Sequence, residues 1–93
     1  MAEATSISAR LITNVGNMSL YEIRGVVSTT ETLTIPASIP VKTTDKVQIV
    51  AGNNVTDGTV GAVTYDDGNR RFTYTESGAS DEDVRILFYV SEA

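Results

Sequence analysis

The chain has 93 residues, 41% hydrophobic and 20% charged, with 12 acids against 7 bases and a net charge of −5. That composition fits one globular domain able to bury roughly 60–65% of its unfolded surface, and its acidity disfavours nucleic acid or an anionic membrane as partner. Cysteine and histidine are both absent, which removes disulfides and the usual zinc and transition-metal ligands.

No apolar run approaches the ~18 residues of a membrane-spanning helix. The opening MAEATSISAR has neither a basic start nor an apolar centre, so no secretory leader is expected and synthesis in a cytoplasm is. Residues 1–5 read as a flexible polar tail, and 6–93 as a single β domain.

From residue 6 to 12 the chain alternates, with Ile7, Ala9 and Leu11 on one face and Ser8 and Arg10 on the other. This predicts a first strand, reversed by the turn residues of Asn14-Val15-Gly16-Asn17. Residues 18–28 alternate again. Tyr21, Ile23 and Val27 share one side, while Leu20 and Val26 lie with Glu22 and Arg24, whose charges mark a solvated face. Gly25 and the β-branched Val26-Val27 argue against a helix here. Residues 31–39 give a short strand through Leu33 and Ile35 that Pro36 ends, and residues 36–44 read as an extended segment crossing between sheets. The next strand, 45–51, sets Val47, Ile49 and Ala51 against Lys46, Gln48 and Val50.

Five of the six aromatics lie in two stretches, TVGAVTYDDGNRRFTYTE (59–76) and VRILFYV (84–90); the sixth is Tyr21. Asp67-Gly68 predicts a hairpin with a type I′ turn. The register then sets Tyr65 opposite Arg70, Val63 opposite Phe72 and Gly61 opposite Tyr74, whose ring would cover the glycine. Residues 77–83 read as a polar loop. The final strand is apolar on both faces, Val84, Ile86, Phe88 and Val90 against Leu87 and Tyr89, which predicts a central strand or one covered by a partner. The spacing of six to seven strands predicts an all-β antiparallel sandwich or small barrel.

Chemistry is sparse. No histidine is present to act as a base, and Lys42 and Lys46 sit in no recognisable motif, so no catalytic residues are expected. Asn53, Asn54, Asp57, Asp66, Asp67 and Asp81-Glu82-Asp83 are hard oxygen ligands of the kind calcium takes. None has EF-hand spacing, and turn formation explains Asn and Asp at these positions, so no metal or cofactor is expected. Arg70-Arg71 is too thin a basic patch for phosphate and reads as a solvated hairpin tip. Two glycosylation-type triplets, Asn17-Met18-Ser19 and Asn54-Val55-Thr56, are expected by chance in so Asn-, Ser- and Thr-rich a chain.

The stretch GAVTYDDGNRRFTYTESGASDEDVRILFYV, a closed hairpin leading through a Ser-Gly-Ala loop to an apolar last strand, resembles small cysteine-free components of tailed-bacteriophage virions, capsid decoration (cement) proteins above all. The resemblance covers the last third of the chain and implies no residue-level site. It implies a non-enzymatic protein located in the virion, a homo-oligomer that binds the major capsid protein or other virion subunits and stabilises the outer shell. In that role the segment 2–10, if free, could add a strand to a partner's sheet. Another virion part (tail tube, connector or fibre domain) is the next expectation, and a carbohydrate- or calcium-binding module is the third.

Overall fold

The computed structural model of the protein describes residues 2–76 and 81–91. Seven strands are present among them: β1 (Thr5–Val15), β2 (Met18–Val27), β3 (Thr30–Thr34), β4 (Lys46–Asn54), β5 (Ala62–Asp66), β6 (Arg71–Thr75) and β7 (Glu82–Ser91). They form an antiparallel four-stranded sheet, β1-β2-β7-β4, and a three-stranded sheet, β3-β6-β5. The all-β sandwich expected from the strand spacing is what the chain forms. Residues 77–80 of the expected polar loop lie outside the described residues.

The core lies between the sheets, and alternation in the strands fills it. Tyr21, Ile23 and Val27 of β2 meet Val84, Ile86, Phe88 and Val90 of β7, with Leu33, Phe72 and Tyr74 from the opposite sheet. A run of rings ties the layers together: Tyr21 stacks on Phe88 at 5.8 Å, Phe88 meets Phe72 at 4.8 Å, and Phe72 meets Tyr65 at 4.8 Å. Such pairs add about 0.5–1.5 kcal/mol each beyond the area they bury. The 36–44 segment does cross between the sheets, and it drops Ile39 and Val41 into the core as it passes.

Four details differ from the sequence reading. The first is the tail: Ala4 is buried, and Ala2 and Ala4 bracket Thr32 through Thr32 N–H to Ala2 O (3.0 Å) and Ala4 N–H to Thr32 O (2.7 Å). Residues 2–4 are thus a short pairing along the outer edge of β3, and not a free arm. The second is β4, where a bulge between Ile49 and Ala51 reverses the alternation. Ala51 is exposed as a result, and Gly52 and Asn54 point inward.

The third is the hairpin. Asp67–Asn69 form one 3₁₀ turn, and Arg70, at φ 52°, closes it in the left-handed region that Asp67-Gly68 was expected to supply. The loop is therefore two residues longer, pairing Asp66 with Arg71, Tyr65 with Phe72 and Val63 with Tyr74. A slip of two keeps every side chain on its own face, so the core assignment survives. The cause is tertiary: the Arg70 guanidinium donates to the carbonyl oxygens of Val41 and, at 3.2 Å, Ile39. Arg70 is a clamp on the crossing segment and not a solvated tip. Glu22 is the fourth difference and belongs to the outer face described next.

Candidate interaction surface

Strand β7 runs between β2 and β4, and its two faces have different fates. Val84, Ile86 and Phe88 are fully buried against the second sheet, whereas Arg85, Leu87 and Tyr89 on the other side are only half-buried. No second layer of the described chain covers that outer face. Leu20 of β2 is directly opposite Tyr89, so Leu20, Leu87 and Tyr89 form one apolar patch on the sheet.

Beside the patch sits Glu22, expected on a solvated face but only 6% exposed. It accepts a 3.1 Å hydrogen bond from Arg10 Nε on β1, and Arg85 Nη1 on β7 lies 3.9 Å away. A carboxylate on a central strand is shielded by the long stems of its neighbours, and these two guanidinium groups compensate its lost hydration. Arg85 also reaches Asn53 Oδ1 at 3.5 Å. Arg24 stands directly opposite Arg85, a like-charge pair that Glu22 tempers through its contact with Arg85.

The edges of the two sheets are unequal. On the β4–β5 side the sandwich is sewn shut: Gly61 N–H donates to Gly52 O at 3.1 Å and Asn54 N–H to Thr59 O at 2.8 Å. Two glycines make this approach possible. A Cβ on Gly61 would lie 2.2 Å from the Tyr74 ring, and one on Gly52 would lie 2.3 Å from Val63 Cγ2. The expected cover of Gly61 by Tyr74 is therefore real, although Tyr74 pairs with Val63. On the β3 side residues 2–4 supply the cover. β1, by contrast, ends its sheet with no strand beyond it among the described residues, and it carries Leu11, Ile12 and Val15 at 48%, 41% and 45% exposure.

The oxygen-ligand candidates fall into two groups at opposite ends of β4, about 26 Å apart at the usual rise per residue. Asn53, Asn54 and Asp57 lie beside Asp83 at one end, where Val55 N–H donates to Asp83 O. Asp66 and Asp67 lie at the other end, where Asp67 and Lys46 line one shallow cleft. Their side chains make turns. Asn54 Oδ1 accepts from Thr56 N–H (2.8 Å) and Asp57 N–H (3.3 Å), and Asp57 Oδ1 from Thr59 N–H (2.9 Å). Asp66 accepts from the Asn69 amide at 2.6 Å. These bonds hold the carboxyls of Asp57 and Asp66 below the usual aspartate range. Among the described residues no three acidic side chains converge on one point. Asn54 is only 2% exposed, so its glycosylation-type triplet serves a turn.

Two buried phenols complete the inventory. Burial pushes the Tyr74 hydroxyl up to about 12 and raises that of Tyr65 as well, and neither hydroxyl has a hydrogen-bond partner among the described residues. An open cleft of 670 Å³ lies where the β1–β2 turn meets the crossing segment, lined by Asn17, Ser19, Tyr21, Pro40, Lys42 and Asp45. Lys42 and Asp45 are bonded through their backbones, and Lys42 N–H also meets the Asp45 carboxylate at 2.9 Å.

Glu22 and its arginines were not identifiable as a group in the sequence, where only the alternation of charge in β2 hinted at them. Compared with known proteins, the chain matches no family model, no curated protein and no solved structure.

Proposed function

We propose that the protein is a non-enzymatic structural component of a virus particle, a decoration protein that docks on the outer capsid shell. The observation that carries this reading is the outer face of the four-stranded sheet. Leu20, Leu87 and Tyr89 present an apolar centre on the opposite side of the sheet from the fully buried Ile86 and Phe88. Aromatic and apolar side chains on a rigid support, rimmed by arginine, are the usual composition of a protein–protein contact. Arg10, Arg24 and Arg85 provide such a rim. Support also comes from Asp57 and Asp66, whose carboxylates are occupied by turn hydrogen bonds.

The test is co-sedimentation of the purified chain with undecorated capsids of its own particle. Binding is expected for the wild-type chain, with at least a tenfold loss for Leu87→Glu while the melting transition is retained. A folded wild-type chain that ignores capsids, or a Leu87→Glu variant that binds as well as wild type, overturns the proposal. A melting temperature raised by millimolar calcium would favour a ligand-binding module instead.

A further inference from the structure

We infer that β1 pairs with β1 of a second copy, antiparallel and about a twofold axis, joining two four-stranded sheets edge to edge. β1 is an 11-residue edge strand, about twice the usual strand length. TSISARLITNV has no proline and no lysine to blunt the edge. Although its register on β2 shifts between Thr5 and Ser8 and again between Leu11 and Thr13, every residue from Arg10 to Val15 is exposed. The remaining long edges are obstructed. Residues 2–4 lie along β3, and the glycine seam holds β5 to the C-terminal part of β4. Three of the six exposed large hydrophobic residues, Leu11, Ile12 and Val15, lie on this one strand.

Charge identifies the occupant as a second copy. The chain carries 12 acids, yet none lies between Thr5 and Val15. β1 is therefore a long edge on which two molecules of net charge −5 can approach without opposing carboxylates; β4 is equally free of acids, but its C-terminal part is closed by the seam. Its single charge, Arg10, is already paired with Glu22. In antiparallel pairing, opposed residues share a face, so a strand meeting its own copy places apolar side chains near apolar side chains. An axis near Leu11 and Ile12 also offsets the two Arg10 side chains. Such a contact is isologous and closes at two subunits, so the open edge is used up without fibre growth.

The geometry has one further consequence, which rests on the capsid-docking reading above. The twofold axis of an antiparallel strand pair runs perpendicular to the sheet, so both Leu20–Leu87–Tyr89 patches face the same way. The dimer would meet a repeating shell with two patches at once, and two-point attachment raises the apparent affinity well above that of one patch.

Light-scattering mass of the full chain from micromolar to millimolar concentration is the primary test. The expected mass rises to twice the 9.9 kDa of one chain, and Leu11→Lys/Ile12→Lys holds it at one chain mass with the melting transition intact. Val60→Lys, at a site 80% exposed and away from β1, leaves the dimer unchanged. A wild-type chain that stays at one chain mass at millimolar concentration, or a double-lysine variant that still dimerises, overturns the inference. Because the chain is free of cysteine, a nitroxide on Thr13→Cys gives a second readout should the double variant not fold. A short intermolecular dipolar distance supports β1 pairing, and its absence in a dimer overturns it. A dimer that does not bind capsids sinks the docking proposal alone.

Discussion

The seam between β4 and β5 and the free edge of β1 are two solutions to one problem in the same small sandwich. At the seam, glycines at 52 and 61 let two strands from different sheets come within backbone hydrogen-bonding distance, and Tyr74 lies over the join. At β1 the sheet stops, and Leu11, Ile12 and Val15 stay exposed beside an edge that no neighbouring strand covers among the described residues. The difference teaches where tolerance to change should lie. Side chains at the seam are fixed by collisions, while those on β1 are limited mainly by what approaches from outside.

Four changes would break or sharpen that contrast, and the largest acts on the ring bridge that holds the two layers together. Phe88 is fully buried and touches both Tyr21 and Phe72. Phe88→Ala should cost about 3–5 kcal/mol in denaturant unfolding, and Leu87→Ala, its neighbour on the outer face, much less. Equal costs would mean that the outer face is buried too.

Alkaline titration comes next. Tyr74 has its folded-state pKa raised to about 12 from an ordinary value of 10.0. Between those values the folded protein holds a proton that the unfolded chain has released, so stability falls as pH rises through this window, by on the order of 3 kcal/mol for the full shift. Tyr65 acts in the same direction. Tyr74→Phe should remove most of the alkaline loss measured by chemical unfolding from pH 9 to 12. At pH 7 it should be neutral or stabilising, because the lost hydroxyl is buried without a partner.

Gly61→Ala is expected to cost about 1–3 kcal/mol, since its methyl group would enter the Tyr74 ring and overpacking of a filled site has that scale. The smallest effect belongs to the open edge: Leu11→Lys should change monomer stability by no more than about 0.5 kcal/mol, as exposed substitutions usually do. Thermal unfolding of the dilute protein would show whether the two sites separate as expected.

Much of the fold was legible because strand parity survives local errors. That Tyr21 and Ile23 share one side of β2, and Ile86 and Phe88 one side of β7, follows from alternation alone, as does the two-faced character of β7. The pairing of the two strands needed the structure. What was not legible depended on contacts between distant parts of the chain. Arg70 adopts the left-handed turn position because its guanidinium finds the carbonyls of Ile39 and Val41, and no local signal announces that. Glu22 is buried only because Arg10 and Arg85 arrive from the strands on either side. Ala51 turns outward because of a bulge in β4 where it pairs with β7. Ala2–Ala4 looked like a polar tail because small residues carry little hydrophobic signal, and their anchor is a backbone pairing with Thr32. The interaction surface was half legible: Leu87 and Tyr89 stood out as surplus apolar residues, whereas the open edge of β1 needed the strand order.

Amide hydrogen exchange, read residue by residue on the dilute protein, tests the contrast between sealed and open edges most directly. The amides of Ala4, Asn54 and Gly61 should be protected along with the core strands, and alternate amides of β1 should exchange close to the free rate. Seam amides that exchange as fast as those on β1, or uniform protection along β1 in the monomer, would contradict it.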